Sequence, residues 1–288
     1  MTAPELLRRL AVSCYVAPPG CSLERLCELL AHRGVGGIGL TAPAVMGRDP
    51  EGLARLLDLH ELTCSSLNSA GYFVHADPRL AMHQAEVNQH LLECAAVLGT
   101  PVNVIPGGID HATMKGAGRP FLAEVRGRAE SALEQLADEA ARAGVTLSLE
   151  PIHPLGLTDK GCVNQLSRAR AIASRLPSVG LTIDLYHSWW DADLVETVAQ
   201  AIDDLRIVQI CGVETGWPGV PPRRTDMTRG VADVRGFLAE LSTAGYSGQI
   251  EYEVMYQQRP QELLGLLDRA VADFPQLMPH VDHRHGAS

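Results

Sequence analysis

LAVSCYVA (10–17), SLERLCELLAHRG (22–34), GGIGLT (36–41) and PEGLARLLDLHE (50–61) decide the fold between them. Short β-branched runs alternate with longer stretches in which apolar residues recur at helical spacing, as Leu26, Leu29 and Leu30 do, so the order is strand, helix, strand, helix. Working outward, strands are predicted in LTCSSLNS (62–69), PVNVIPGG (101–108), VTLSLE (145–150), VGLTID (179–184), RIVQIC (206–211) and GQIEYEV (248–254). Helices are predicted within 77–99, 119–144, 162–176, 191–204, 233–245 and 260–274. Eight βα units in 288 residues average the ~30 or more residues that one unit needs. The expectation is α/β, a single (β/α)8 barrel of roughly the usual ~250-residue size. It should occupy residues 1–278, with the polar, histidine-rich PHVDHRHGAS (279–288) as a frayed tail.

Composition narrows the function. Acidic residues outnumber basic ones, 34 to 24, for a formal charge of −10, and only Lys115 and Lys160 are lysines. Nucleic-acid binding, which draws affinity from a basic surface, is disfavoured, and a small-molecule substrate is the better expectation. No apolar run approaches the ~18 residues of a membrane span. The seven cysteines contain no CxxC pair and are odd in number, which points to reduced thiols and a cytoplasmic chain. Association into a homo-oligomer is left open.

One motif is set aside. Gly34-Val35-Gly36-Gly37-Ile38-Gly39 spells GxGxxG, but a dinucleotide fingerprint needs a strand before it and a helix after it, and here the order is reversed. The glycines are expected to end the first helix and turn the chain into the second strand.

In such barrels the reacting groups stand at the C-terminal ends of the strands. Strand five ends at Glu150, strand six at Asp184, and strand eight carries Glu251 and Glu253. Any one of these could be a salt bridge or a helix cap. Several converging on one mouth repel each other, and a divalent cation relieves that most simply. Gln209, the inward polar residue of strand seven, can add an amide oxygen, or can simply be hydrogen-bonded within the barrel.

The run LSLEPIHP, then VGLTIDLYHSWWD, then an R-x-x-M-x-x-G loop, then AGYSGQIEYEV resembles the xylose isomerase-like barrel family of sugar isomerases and epimerases. The resemblance implies one divalent metal ion, Mn²⁺ or Mg²⁺ before Co²⁺ or Zn²⁺, held by Glu150, Asp184, Gln209 and Glu253. Glu253 is preferred to Glu251 because it lies nearer the strand end. It further implies Glu150 and Glu253 as the acid/base pair, and His187 and Arg224 as substrate-binding residues. His153 and Trp189 are added from their position after strands five and six. Asn68, Tyr72, His75, Trp190, Arg223 and Arg229 are further candidates for the mouth or its loops. The chain departs from the family's strand-seven H-x-x-D with Gln209-Ile210-Cys211-Gly212, and Thr228 stands where the next loop usually has glycine. An all-oxygen set favours Mg²⁺ or Mn²⁺ over Zn²⁺.

The chemistry expected is proton abstraction beside a carbonyl, through an enediolate. The same abstraction followed by loss of a β-hydroxyl would make a dehydratase, as in the 3-dehydroshikimate dehydratases, which also resemble this chain at Gln209. A barrel that has lost its chemistry and serves as a binding or partner subunit is the alternative from another class. The DNA-repair endonuclease branch of the fold would need a histidine-rich multi-zinc mouth that these strand ends do not supply.

Overall fold

The computed structural model describes residues 2–116, 118–216, 218, 220–256 and 263–279, so the expected tail lies, apart from Pro279, outside the described residues. Eight parallel strands close into one barrel: β1 (Leu10–Ser13), β2 (Gly37–Thr41), β3 (Thr63–Gly71), β4 (Val102–Ile105), β5 (Leu147–Leu149), β6 (Val179–Asp184), β7 (Leu205–Ile210) and, after two strands outside it, β10 (Ile250–Tyr252). The last pairs with the first, Leu10 beside Ile250 and Val12 beside Tyr252. Helices cross over on the outside, among them Leu23–Ala31, Pro50–Leu59, Pro78–Leu98, Leu122–Arg142, Leu166–Ala173 and Val234–Thr243.

The helix starts follow local chemistry. Ser22 Oγ accepts from the Arg25 amide at 3.1 Å, Asp49 Oδ2 from Gly52 at 2.8 Å and Asp233 Oδ1 from Gly236 at 2.8 Å, each satisfying an amide that the first turn leaves open. Gly34 takes φ +73° just after the first crossover helix, and Gly37 and Gly39 lie within β2. The GxGxxG stretch is a helix end running into a strand, as the sequence order required.

Two features were not expected. The 212–230 loop contains an antiparallel pair, β8 (Gly212–Glu214) with β9 (Arg223–Thr225). The predicted strand one also stops at Ser13, and residues 14–16 turn into a 3₁₀ helix. Ser13 Oγ faces the Tyr15 amide there.

Strand alternation sorts the barrel wall into two sets. Leu10, Val12, Ile38, Leu40, Val102, Val104, Leu147, Leu149, Leu181 and Ile183 belong to the buried apolar core. The alternate positions are Ser13, Gly39, Ser66, Asn68, Asn103, Ser148, Thr182, Asp184, Gln209 and Glu251, which are small or polar. A barrel interior is usually filled by branched aliphatic side chains; this one is filled by a hydrogen-bonded polar network. No helix among the described residues is long and apolar enough to cross a membrane.

Candidate active site at the barrel mouth

Register brings the polar set together. Asp184 stands beside Gln209, Gln209 beside Glu251, and Asn103 beside Ser148 on neighbouring strands. Glu150 and Glu253 each lie two residues beyond an inward position, Ser148 and Glu251, and so project from the strand ends over the same space. All four carboxylates are buried, with Asp184 wholly inaccessible.

Arg224 reaches into this group from β9 and is 1% exposed. Its guanidinium spans both Asp184 oxygens, with Nη1 to Oδ1 at 3.1 Å and Nη2 on Oδ2, and its Nη2 stands 2.9 Å from Glu253 Oε1. The Tyr186 ring lies under it at 4.4 Å, and the Tyr186 hydroxyl, donating to the Pro222 carbonyl, ties the helix turn after β6 to the loop that delivers the arginine. Burial works to strip the guanidinium of its proton, but the Asp184 and Glu253 carboxylates hold it well above the ordinary arginine value.

One buried guanidinium does not balance four carboxylates. Burial, with the nearby Asp184 charge, pushes Glu150 up to about 7. Burial likewise pushes Glu253 up to about 8 against the opposing pull of Arg224, and it also raises Glu251. Two carboxyls therefore titrate near neutrality, which is the range a general acid/base pair needs.

His187 has a defined tautomer. Its Nδ1 accepts the His153 amide at 3.1 Å, and burial keeps the ring pKa well below the usual value, so the neutral ring carries its proton on Nε2. That Nε2 is 3.8 Å from Glu150 Oε1 and 3.9 Å from Asp184 Oδ2. These distances exceed a hydrogen bond and leave the N–H directed at the gap between the two carboxylates. A proton on Nε2 makes His187 a donor to a ligand oxygen, in preference to a metal ligand.

Gln209 is 1% exposed. Its Nε2 donates to Glu253 Oε2 at 2.6 Å and to Glu251 Oε1 at 3.1 Å, and its buried Oε1 accepts no hydrogen bond. Glu150, Asp184 and His187 offer atoms within 4.8 Å of one another, the only such cluster among the described residues. Asp184 Oδ1 accepts from both Arg224 Nη1 and the Tyr186 amide, the latter at 2.9 Å, so of its two oxygens it is Oδ2 that keeps a lone pair beside Arg224. Uncompensated negative charge, carboxylate oxygens and an orphaned amide oxygen together suit a hard divalent cation, so the residues present at the mouth fit such an ion.

The other candidates sort by distance from this centre. His153 is half-buried on the loop after β5, and its Nδ1 accepts the Leu155 amide at 3.2 Å. It stacks on Trp189 at 6.5 Å and meets Trp190 edge-on at 5.6 Å. Trp189 lines an outer groove with Leu194, Val198 and Phe237, while Trp190 Nε1 donates to the His187 carbonyl at 2.9 Å. Tyr72 and His75 both pack on His111, at 5.7 and 5.0 Å. Arg223 and Arg229 are exposed. At Gly212 a Cβ would sit 2.2 Å from the carbonyl oxygens of Asp226 and Arg229, so the departure from the family's aspartate coincides with a loop folded tightly against β8. Thr228 Oγ1 bonds Asp273 on the last helix at 3.2 Å.

Sequence reasoning did not single out Asn103, Ser65, Ser66 or Thr182. Asn103 Nδ2 donates to Glu150 Oε2 at 2.6 Å and to Asn68 Oδ1 at 2.9 Å, and Thr182 Oγ1 donates to Asn103 Oδ1 at 2.8 Å. The available signal was an asparagine inside the otherwise apolar run VNVI.

A parallel barrel with clustered carboxylates at its C-terminal mouth defines the class. The chain belongs to the xylose isomerase-like TIM barrel family, whose profile matches residues 27–270. Among solved structures it is similar to a protein from Sinorhizobium meliloti 1021, with 24% identity, 94% of this chain and 99% of the other covered, and TM-score 0.82. It is also similar to the IolI protein with a zinc atom, at 19% identity, 93% and 97% coverage and TM-score 0.76. The 3-keto-D-glucoside 4-epimerase from E. coli in its apo form follows at 17% identity, 93% and 99% coverage and TM-score 0.73. At these identities the likeness is one of fold. No curated protein matches the chain.

Proposed function

We propose that the protein is a divalent-metal-dependent isomerase or epimerase acting on a sugar or related polyhydroxy carbonyl compound. The observation that carries this is the convergence of the buried carboxyls Glu150, Asp184 and Glu253 at the strand ends of one barrel mouth, with Arg224 as the guanidinium between Asp184 and Glu253. Glu150, Asp184, Gln209 and Glu253 would hold the ion, with Mn²⁺ or Mg²⁺ the best match to an all-oxygen set. When bound, such an ion supplies Lewis-acid polarisation of a substrate carbonyl.

The protein's own groups supply the rest. One of the Glu150/Glu253 pair takes the proton from the carbon beside the carbonyl, and the other returns one. Burial raises both carboxyls and a bound cation lowers them, and the balance sets the form that each half-step needs. His187 Nε2–H donates to a substrate oxygen. The burial of the site keeps water from the deprotonated carbon. The structural likeness to a 3-keto-D-glucoside epimerase agrees with this substrate class.

The test has two parts. Bound Mn²⁺ is measured by elemental analysis after equilibration and desalting, in the parent and in a Glu150→Gln/Asp184→Asn double variant; one equivalent per chain in the parent and none in the variant is expected. Keto-sugars are then incubated in deuterium oxide. Deuterium in recovered substrate and product supports isomerisation, and a new enone absorbance from dehydroshikimate-like acids moves the assignment to a dehydratase. Absence of bound metal after Mn²⁺, Mg²⁺, Zn²⁺ and Co²⁺ have all been tried would overturn the reading in favour of a binding or partner barrel.

A further inference from the structure

Glu253 is shared between Arg224 and Gln209, whereas Glu251, two residues earlier on the same face, has partners on β3 for one oxygen and Gln209 for the other. Its side chain passes over β2, where a Cβ on Gly39 would fall 2.2 Å from its Oε1. On the far side Ser65 and Ser66 donate to its Oε2 at 2.7 and 2.5 Å. Asn68 in turn donates to Ser66 Oγ at 2.6 Å. The remaining oxygen, Oε1, accepts from Gln209 Nε2.

The consequence falls on Gln209. A primary amide can be turned end for end at little steric cost, and only its partners decide which end faces which way. An amide presenting its NH₂ to a cation would repel it; one presenting its oxygen can ligate. We propose that Glu251, anchored by Ser65 and Ser66 across the glycine gap at position 39, is a positioning residue that, together with Glu253 Oε2 on the same Nε2 at 2.6 Å, fixes the Gln209 amide with its oxygen free for the metal ion. This rests on the metal-dependent reading above. It also gives the gap at Gly39 and the buried carboxylate at 251 one purpose.

The test is Mn²⁺ affinity, read by paramagnetic resonance of free Mn²⁺ in titrations of the full chain, for four proteins: parent, Glu251→Gln, Gln209→Glu, and the double variant. In the parent background Glu251→Gln leaves Glu253 Oε2 as the one carboxylate holding the 209 amide, and affinity should fall about 10-fold, the lower end for groups that orient a metal ligand. In the Gln209→Glu background both ends of the side chain are oxygen and a like charge stands beside Glu251, so the same substitution should leave affinity unchanged or raise it. A structural role alone would weaken both backgrounds equally, and that result overturns the proposal, as does parent-like affinity in Glu251→Gln. If Glu251→Gln does not fold, Ser66→Ala replaces it, with a loss smaller than that of a group touching the ligand expected in the parent background and none in the Gln209→Glu background. A parent that binds none of the four ions overturns the metal-dependent reading itself, and this inference with it.

Discussion

The two halves of the barrel interior are built from different chemistry. Strands β1–β4 contribute the neutral Ser13, Gly39, Ser66, Asn68 and Asn103, of which Ser66, Asn68 and Asn103 donate to one another or to carboxylates across the barrel. Strands β5–β7 and β10 lead into every buried carboxylate of the site and Gln209, whose Oε1 accepts nothing. Satisfied polar groups rigidify a core, whereas an excess of like charge and an orphaned acceptor are kept only where something else uses them. On the function proposed above, the neutral half is the support and the acidic half carries the chemistry.

Substitutions in the acidic half should therefore cost turnover, and those in the neutral half stability. The largest effect is expected from Glu150→Gln and Glu253→Gln: each should lower deuterium wash-in by about 10²–10⁴-fold, the contribution of a positioned acid or base, with little change in thermal unfolding for Glu150→Gln and a measurable loss for Glu253→Gln, which takes a partner from the buried Arg224. Comparable wash-in in either variant would break the division. Asp184→Asn acts on both counts, because it leaves Arg224 buried with half its partners. Removing one member of a buried pair costs on the order of 3 kcal/mol, to be read from urea unfolding.

In the neutral half Gly39→Ala places a methyl where the Glu251 carboxylate lies, and overpacking of this kind costs about 1–3 kcal/mol. A smaller effect concerns pH. Glu150 and Glu253 have folded-state values of about 7 and about 8, above the unfolded carboxyl value, so between roughly pH 4.5 and 8 the folded state binds more protons and metal-free stability falls as pH rises. Melting temperatures with EDTA at pH 5.5 and 8.0 test the sign. Excess Mn²⁺, which binds the deprotonated carboxylates, should reverse the slope.

How much of this was legible in the sequence follows from where each signal lives. Period and length gave eight parallel strands, because alternation between apolar runs and amphipathic stretches is a local property. The strand-end position of Glu150, Asp184 and Glu253 was legible for the same reason. The β8–β9 pair was not: three-residue strands in a Gly- and Pro-rich loop carry no period to read, and the contacts of Arg224 with Asp184 and Glu253 join distant parts of the chain. Nor was the polar interior, since Ser66, Asn103 and Thr182 acquire meaning only when register sets them side by side. The tautomer of His187 rests on one amide, that of His153, 34 residues away.

The smallest expected effect tests the electrostatics of the mouth from its rim. Lys160, one of two lysines in the chain, is half-exposed on the loop after β5, and its charge acts on the mouth: it opposes the rise of Glu150 and lowers His187 further. Lys160→Met should therefore raise Glu150, the member of the pair that titrates lower. The acid limb of the rate profile moves to higher pH, with a roughly two- to threefold loss at pH 6 and none at pH 9, a fraction of a pKa unit. His187 is held so far below neutrality by burial that it stays uncharged and contributes nothing to the shift. Lys115→Met, at an exposed site, is the control and should leave the limb in place. Raised salt should imitate Lys160→Met in the parent, since a partly solvated charge is screened, and a limb indifferent to both would place the pH dependence outside the Glu150–Glu253 pair.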